Sequence, residues 1–446
     1  MRAVTVVALT LLVVRAVWIA NAPVSNSKTG PVTIELVVWG IPFELALYKN
    51  EYVPEFERQN PDIKVKLLNF ENYESRILLS YAGGMMPDVA REHFDIGINW
   101  IHRGMNLPLD RFIDGPDGID RSDFLPQTWA GLKYRGKTYG VPQDLNMLGL
   151  FYNKDLFDQA HLKYPDSTWT WADLKRASDQ LTTLGPDGHP IKMGLDLAWG
   201  ANTFRPFLLE AGGKFWEADG VTPAFDSPEA VRALTFYKSL LKSYSLTQSG
   251  ATNSGGLGPD KFFESGRIAL YIDGSWRSPS LKKDAPGLRF GVAPLPRGDI
   301  PMSSSVSCYW AVSSQTKHPD EAWRLAKYLS SKQALTRYWQ VLWVAPPARW
   351  SVINSPEYKE VTGAGKDNPG IDSPAEFHEK CDWIAQVLRN NWTTTEPCGP
   401  FTSIAMAHLG KAVDQVLLEN RDPAAALHEA ARLATDDIKE AQKGFP

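Results

Sequence analysis

Tryptophan and polar side chains recur at the ends of predicted strands, where they could bind a ligand. Trp39 ends one predicted strand, and Trp276 follows another. Glu92 and His93 follow the predicted strand at Met86–Ala90. An indole covers the apolar face of a flat ligand, while carboxylate and imidazole groups form hydrogen bonds with a polar rim. These residue types predict a site for a flat, partly apolar ligand.

The stretch Tyr139–Phe157 joins two predicted strands without an intervening helix. Pro142 breaks the chain there, and the polar residues Asp144 and Asn146 precede an apolar strand that begins at Met147. Such a passage suits a crossing from one sheet to another, and clefts between lobes are favoured ligand sites. An ordinary loop with solvated polar side chains is the alternative interpretation.

Sequence motifs of the common catalytic and cofactor-binding classes are absent. The chain has no Gly-x-Ser-x-Gly elbow, Walker loop, dinucleotide-binding glycine fingerprint or His-Glu-x-x-His zinc motif. The acidic stretch at residues 114–123 lacks the spacing of a calcium loop. We therefore expect no cofactor and no metal. A secreted glycoside hydrolase remains a remote alternative, because its two carboxylates are far apart in sequence.

The elements that position these residues alternate between strands and helices. Up to Arg103 the order is strand, helix, strand, helix, strand and helix, which predicts an α/β fold with a parallel sheet. In such sheets ligands bind outside the carboxyl ends of the strands, where Trp39 and Glu92 are expected. The Pro- and Ser-rich connector at 294–305 is a candidate for a second crossing between sheets.

Size and charge set limits on the function. The 446 residues carry a net charge of −4, and 43% of them are hydrophobic. This length corresponds to two or three domains with a large core. The slightly acidic balance provides no general positive field for nucleic acid, so we expect none as a partner.

The first 22 residues have the pattern of a secretory signal. Arg2 precedes the apolar run Val4–Val14, and Ala20-Asn21-Ala22 resembles a cleavage site. Arg15 interrupts the apolar run, and a retained membrane anchor is the alternative. No Cys follows the run for lipid attachment, so the mature protein is expected to be periplasmic or extracellular.

The chain has three cysteines, which are too few for a disulfide-based scaffold. Cys308 lies in an apolar run and is expected to be a small buried side chain. Cys381 and Cys398 could form a disulfide in an oxidising compartment, and the sequence leaves this open.

Several motifs, in a fixed order, resemble those of the solute-binding proteins of ABC importers. The similarity extends from Val32 to Gly444 and is greatest to the sugar-binding group that includes maltose-binding protein. It rests on Pro87-Asp88-Val89 after Gly83-Gly84, on Tyr139-Gly140-Val141-Pro142 leading to Tyr152-Asn153-Lys154-Asp155-Leu156, and on Gly274-Ser275-Trp276.

The resemblance implies a non-catalytic receptor with two discontinuous α/β lobes joined by hinge strands. Residues 32–142 and 304–346 would form lobe 1, and residues 143–303 and 347–446 would form lobe 2. A mono- or oligosaccharide would be captured in the cleft between them and delivered to the transmembrane permease subunits of the importer. The receptor is expected to be a monomer.

The resemblance also implies a set of ligand-binding residues. Trp276 matches the aromatic platform on which family members stack a sugar ring. The other implied positions are Trp39, Glu92 and His93 in lobe 1, Asp144 and Asn146 in the hinge, Trp199 and Asn202 in lobe 2, and Tyr309, Trp343 and Arg349 in the returning segments. The run Ser303–Trp310 departs from the family pattern, which is commonly Gly-rich there.

An anionic sugar derivative, such as a glycerol phosphate or a sulfonated sugar, is the alternative ligand for the same fold. Arg349 and Arg91 would supply the bidentate hydrogen bonds that such anions prefer. Structural ion pairing of both arginines is the competing interpretation.

Overall fold

The computed structural model describes residues 30–40, 42–188, 190–196, 200–240, 258–360, 374–394 and 399–443. The predicted secretory signal, Trp199 and Cys398 lie outside these residues. Cys308 and Cys381 are free and buried. Nowhere in these ranges is a helix both long and apolar enough to cross a membrane.

The strands belong mainly to two sheets. In chain order they are β1 Val32–Val38, β2 Ile63–Asn69, β3 Val89–His93, β4 Lys133–Tyr134, β5 Lys137–Thr138, β6 Val141–Pro142, β7 Asn146–Asn153, β8 Thr183–Leu184, β9 Pro190–Asp196, β10 Ile268–Gly274, β11 Phe290–Ala293, β12 Ser303–Val306, β13 Cys308–Val312 and β14 Thr393–Thr394.

Helices surround both sheets. The α-helices are Pro42–Leu47, Val53–Gln59, Tyr73–Ala82, Phe94–His102, Asp110–Ile113, Pro126–Ala130, Lys154–Gln159, Trp171–Leu181, Ala201–Glu210, Pro228–Ser239, Pro259–Glu264, Arg277–Asp284, Pro319–Leu329, Lys332–Leu342, Trp350–Ile353, Pro374–Arg389, Thr402–Leu418 and Pro423–Lys443. A π-helix spans Tyr48–Tyr52, and 3-10 turns span Arg121–Asp123 and Pro356–Lys359.

The first sheet has the strand order β2-β1-β3-β13-β6. β1 is parallel to β2 and β3, whereas β13 is antiparallel to β3 and β6. β1 is apolar and β-branched because helices cover both of its faces: Leu36 and Val38 pack into one core cluster and Val37 into another. We call this sheet and its helices the first lobe.

The second sheet has the order β14-β12-β7-β10-β9-β8, and β11 also pairs with β7. β7 is its central strand, and all eight of its residues are buried. This explains the long apolar run in the middle of the sequence. We call this sheet and its helices the second lobe.

The third strand of the first sheet has different bounds from those predicted. The strand predicted at Met86–Ala90 is observed at Val89–His93, so Glu92 and His93 lie within it rather than beyond its end. It is longer because β13 pairs with it, with Tyr309 opposite Glu92. β13 follows β12 after the single residue Ser307, where the chain leaves the second sheet for the first.

Three segments cross between the lobes and form hydrogen bonds with one another. The Gln143 amide donates to the Cys308 carbonyl at 2.9 Å, and the Ala348 amide donates to the Gln143 carbonyl at 3.1 Å. The Leu145 amide donates to the Pro346 carbonyl at 2.9 Å. The crossing predicted at 142–146 therefore lies between two others, near residues 307 and 347.

Pro54 coincides with a change of helix type. The Pro42–Leu47 helix continues into the π-helix Tyr48–Tyr52, and a second α-helix begins at Val53. Proline has no N–H to donate. It is tolerated in the first turn of a helix because the N–H groups there have no acceptor within the helix. The proline therefore accounts for the new helix start, but not for the π-helix before it.

A buried polar cluster holds the Phe94–His102 helix against the first sheet. Tyr309 and Asn106 both donate hydrogen bonds to the Glu92 carboxylate. The Tyr309 ring occupies the space above Gly97, where a Cβ atom would lie 1.8 Å from its hydroxyl oxygen. Burial raises the pKa of Glu92 to about 7, although the two hydrogen bonds oppose this shift.

We expect Gly97→Ala to lower the free energy of unfolding by about 1–3 kcal/mol, because the new methyl group must displace a ring fixed by Glu92. Urea denaturation would measure this change. Gly287→Ala is the matched control, since no atom lies within 4 Å of its Cβ position. Equal stability of Gly97→Ala and the wild type would contradict the packing described.

We expect Glu92→Gln to remove a pH dependence of stability. The pKa of Glu92 rises from 4.5 to about 7 on folding, so its contribution is complete below pH 4.5 and is lost as the pH rises to about 7. Relative to the neutral variant, the wild type should lose up to about 3 kcal/mol over this range. Urea midpoints measured at a series of pH values test this, and parallel curves would refute it.

Candidate functional site

A wall of stacked rings lies at the carboxyl ends of two strands of the first sheet. Trp39 follows β1, and His93 ends the neighbouring parallel strand β3. Their ring centroids are 4.3 Å apart with 6° between the planes. The Trp39 Nε1 donates to the Arg91 carbonyl at 3.1 Å, which fixes the indole in its plane. Burial lowers the pKa of His93 to about 4, so the imidazole is neutral at pH 7.

Beside this wall lies a compartment of about 220 Å³, which we call the aromatic compartment. Tyr73 meets Trp39 edge-on, with centroids 6.4 Å apart, and its hydroxyl donates to the Arg91 carbonyl at 2.6 Å. The complete lining is Trp39, Tyr73, Glu74, His93, Ile96 and Trp100.

A buried ion network lies behind the wall. The Arg91 guanidinium donates to Glu44 at 2.9 Å and to the side-chain oxygen of Gln143 at 3.0 Å. It also lies 3.7 Å from an Asp144 carboxylate oxygen and donates to the Tyr338 hydroxyl at 2.9 Å. All five side chains are buried, so the charges compensate one another rather than being solvated.

The crossing segments connect this network to the second lobe. Asp144 accepts hydrogen bonds from the Cys308 amide at 2.9 Å and the Asn146 side-chain amide at 3.2 Å. Asn146 in turn accepts from the Ser275 hydroxyl at 3.0 Å, and Ser275 precedes Trp276. Burial raises the pKa of Asp144 to about 6, with the charge of Arg91 opposing the shift. A chain of hydrogen bonds therefore runs between the two lobes.

The second wall contains Trp276, which is half-buried at the start of the Arg277–Asp284 helix. Its ring lies against the backbone of Gly274, where a Cβ atom would come within 2.1 Å of it. Lys380 holds the adjacent backbone, because its Nζ donates to the carbonyls of Ser275 and Trp343, each at 2.6 Å. Burial lowers the pKa of Lys380 to about 7.

Four predicted site residues lie in packed surroundings rather than on the open cleft. Glu92 and Tyr309 bond to each other, and they are 1% and 0% exposed. Trp343 is 2% exposed in the core cluster that also contains Trp339. Arg349 pairs with Asp123 at 2.7 Å and donates to the Ser330 carbonyl. Their nearest neighbours are protein groups, as are those of Asp144 and Asn146.

Of the predicted site residues, Trp39 and His93 stack on each other, and Asn146 bonds to Asp144 and to Ser275, the neighbour of Trp276. Asn202 is exposed on the Ala201–Glu210 helix, and Trp199 is outside the described residues.

Sequence reasoning missed several residues next to the site. Tyr73 and Trp100 resemble core residues of amphipathic helices, so their pattern alone does not distinguish them. Lys380 is also inside a helix, and no spacing marks it as buried. Ser275 could have been predicted as a site neighbour, because it lies between the glycine and the tryptophan of the Gly274-Ser275-Trp276 motif.

The chemistry that this arrangement supports is binding. Across the described ranges, no group of three or more His, Cys, Asp or Glu residues could hold a metal ion. Aromatic faces and hydrogen-bonding groups from both lobes instead suit an organic ligand held between them.

Several proteins of known sequence are similar to the chain. The arabinooligosaccharide-binding protein of Bacillus subtilis is 23% identical over 371 residues, which cover 81% of this chain and 84% of that protein. The mannitol-binding protein of Pseudomonas aeruginosa is 28% identical over 293 residues, which cover 62% of this chain and 64% of that protein.

Solved structures share the fold. The GacH receptor of Streptomyces glaucescens, studied unliganded and with acarbose, is 25% identical with a TM-score of 0.72, covering 93% of this chain and 100% of that one. An ABC substrate-binding protein from Listeria monocytogenes, in complex with cycloalternan, has a TM-score of 0.74 at 23% identity, with the same coverage. The expected two-lobed α/β fold of binding proteins is confirmed by this likeness.

The profile of the family described as "Bacterial extracellular solute-binding protein" matches residues 44–336. This segment contains both sheets' central strands, the crossings near residues 144 and 307, and all of the rings of the two walls except Trp39. The chain is a member of the bacterial extracellular solute-binding protein family.

Proposed function

We propose that the protein is the substrate-binding receptor of an ABC importer and captures a carbohydrate between its lobes. The observation that carries this proposal is a path of contacts from the stacked rings of Trp39 and His93 to Trp276. It runs through the Arg91–Asp144 ion pair and the Asp144–Asn146 hydrogen bond to the Ser275 hydroxyl, next to Trp276. Closure around a ligand changes the relative position of the lobes, and this change of shape is what a membrane permease would recognise.

The chemistry of a pyranose matches this cleft. A pyranose has an apolar C–H face and a rim of hydroxyls, each of which both donates and accepts. The indoles of Trp39 and Trp276 suit the apolar face, and the His93 imidazole and the Asn146 amide suit the hydroxyl rim.

The similar proteins support a carbohydrate ligand. Their names specify mannitol, multiple sugars and arabinooligosaccharides. Structures of the same fold contain tagatose and mannobiose. We infer the same general ligand class for this chain, at a periplasmic or extracellular location, with the permease subunits as its partner.

The anionic alternative is less well supported, because both of its candidate cations have protein partners. Arg91 pairs with Glu44 and Asp144, and Arg349 pairs with Asp123. An anion would have to displace a carboxylate from either guanidinium, at the cost of leaving that carboxylate unpaired.

We propose four ligand-binding residues: Trp39 and His93 from the first lobe, Asn146 from the crossing and Trp276 from the second lobe. Asp144 would hold Asn146 in place through its hydrogen bond. The ligand-binding roles of Trp199 and Asn202 remain predictions.

We also propose lobe boundaries that differ from the sequence prediction at one point. Ser303–Val306 pairs with β7 and β14, which supports a boundary at Ser307 instead of residue 304. Lobe 1 would then contain residues 32–142 and 307–346, and lobe 2 residues 143–306 and 347–446. The protein is proposed to act as a monomer.

Incubation with neutral, acidic and phosphorylated saccharides would test the function. A receptor should show a raised melting temperature with its ligand and leave that ligand chemically unchanged. Chromatography of the incubated sugar measures turnover, and any hydrolysis product would contradict the receptor and favour a glycoside hydrolase. A response to phosphorylated or acidic sugars alone would favour the anionic alternative.

We expect Trp276→Ala to weaken carbohydrate affinity at least about tenfold, or roughly 1.4 kcal/mol, because it removes an aromatic face. Isothermal titration calorimetry with the sugar from the screen would measure this. Trp169→Ala is the control, since Trp169 packs beside Phe157 in the second lobe and outside the proposed site. Unchanged affinity in Trp276→Ala would show that the indole only supports the fold.

A further inference from the structure

Lys380 is a buried cation whose side chain ends among backbone carbonyls. It lies in the Pro374–Arg389 helix and is 3% exposed. Within the ranges that the structure describes, no carboxylate forms an ion pair with it, and those of its helix neighbours Glu379 and Asp382 pair with other lysines. A cation without a carboxylate partner loses its hydration on burial, so other groups must compensate its charge.

Two indoles and two carbonyls surround this ammonium group. Its Nζ lies 5.7 Å from the ring centroid of Trp339 and 4.7 Å from that of Trp343, and ring faces at such distances attract a cation. The carbonyls of Ser275 and Trp343 accept its hydrogen bonds, each at 2.6 Å. An apolar side chain of similar length would fill the same apolar cluster without desolvating a charge. The role of the ammonium group therefore lies in the two carbonyls that it joins.

The first carbonyl belongs to the peptide group between Ser275 and Trp276. The second sheet also holds Ser275, because its amide donates to the Met147 carbonyl and its hydroxyl to the Asn146 side chain, both at 3.0 Å. A peptide group is planar and rigid, so the hydrogen bond from Lys380 fixes the direction in which the chain enters Trp276. Lys380 therefore orients the residue that carries the indole of the second wall.

The second carbonyl ends a helix that packs in the core of the first lobe. Trp343 follows the Lys332–Leu342 helix with φ of 38° and ψ of 28°, a left-handed conformation that is strained for a side chain of this size. The chain then reaches Pro346, whose carbonyl accepts a hydrogen bond from the Leu145 amide in the central crossing segment. Lys380 therefore also holds the turn from which the chain passes between the lobes.

We propose that Lys380 is a positioning residue for the ligand, because it joins Trp276 to the crossing segment near residue 347. This deepens the proposed function, on which it rests, by naming the group through which a ring stacked on Trp276 acts on the connection between the lobes. Without the ammonium group, Ser275 keeps only its hydrogen bonds to the second sheet. The indole of Trp276 would then be less well oriented, and the affinity for a stacked sugar would fall.

Fluorine NMR of the full-length protein labelled with 5-fluorotryptophan tests this connection without any sugar. The measurement is made at pH 6, where Lys380 carries its proton because its pKa is about 7. The Trp276 resonance, assigned by its loss in Trp276→Phe, should shift by more than its line width in Lys380→Met. Lys359→Met is the control and should leave the resonance unchanged, since Lys359 pairs with Asp382 on the exposed side of the same helix.

An unchanged Trp276 resonance in folded Lys380→Met would overturn the proposal. If Lys380→Met does not fold, Lys380→Gln takes its place, because it removes the charge but keeps a hydrogen-bonding group. The same criterion then applies to its Trp276 resonance.

A double-mutant cycle with the sugar from the screen shows whether Lys380 acts through Trp276. Calorimetry should show that Lys380→Met weakens affinity at least fivefold in the wild-type background, but less than twofold when Trp276→Ala is already present. A residue that only supported the fold would lower both affinities by the same factor, so equal factors would overturn the proposal. If no sugar binds, the proposed function fails, whereas the fluorine measurement still decides whether Lys380 positions Trp276.

Discussion

The buried guanidinium of Arg91 is the interaction on which the rest of the site depends. It lies within the first sheet, yet its partners come from other parts of the chain: Glu44 from the first helix, Gln143 and Asp144 from a crossing segment, and Tyr338 from a later helix. Loss of one member of a buried ion network typically costs 3–5 kcal/mol, because it leaves an uncompensated charge. The sheet, the crossing and the aromatic wall are therefore fixed relative to one another.

The same arrangement explains how the cleft can be both rigid and closable. Each wall is held within its own lobe, Trp39 by the Arg91 carbonyl and Trp276 by the backbone of Gly274. The lobes are joined by three adjacent segments, and backbone amides of one donate hydrogen bonds to carbonyls of another. Bending of one segment must therefore bend the others, so closure would move each wall as a unit.

Local features of the structure were predictable from the sequence, and features set by distant partners were not. Asn153 and Thr170 are helix N-caps, and this is predictable because an N-cap depends on only about four consecutive residues. The extension of β3 to His93 depends on Cys308, which lies more than two hundred residues away. Lys380 can likewise be buried because two carbonyls from other segments accept hydrogen bonds from its Nζ. Among the site residues, Trp39 and Trp276 were found because an aromatic residue at a strand end is itself a local pattern.

The position of β13 between β3 and β6 has a consequence for biosynthesis. The first sheet is built mainly from the amino-terminal part of the chain, but it is complete only after Val312 has left the ribosome. Until then β3 has an unpaired edge, which is the kind of surface through which chains associate with one another. Products that terminate before Cys308 should therefore accumulate as aggregates rather than as a folded amino-terminal domain, and β3 stays unpaired during synthesis of the more than two hundred residues that separate it from β13.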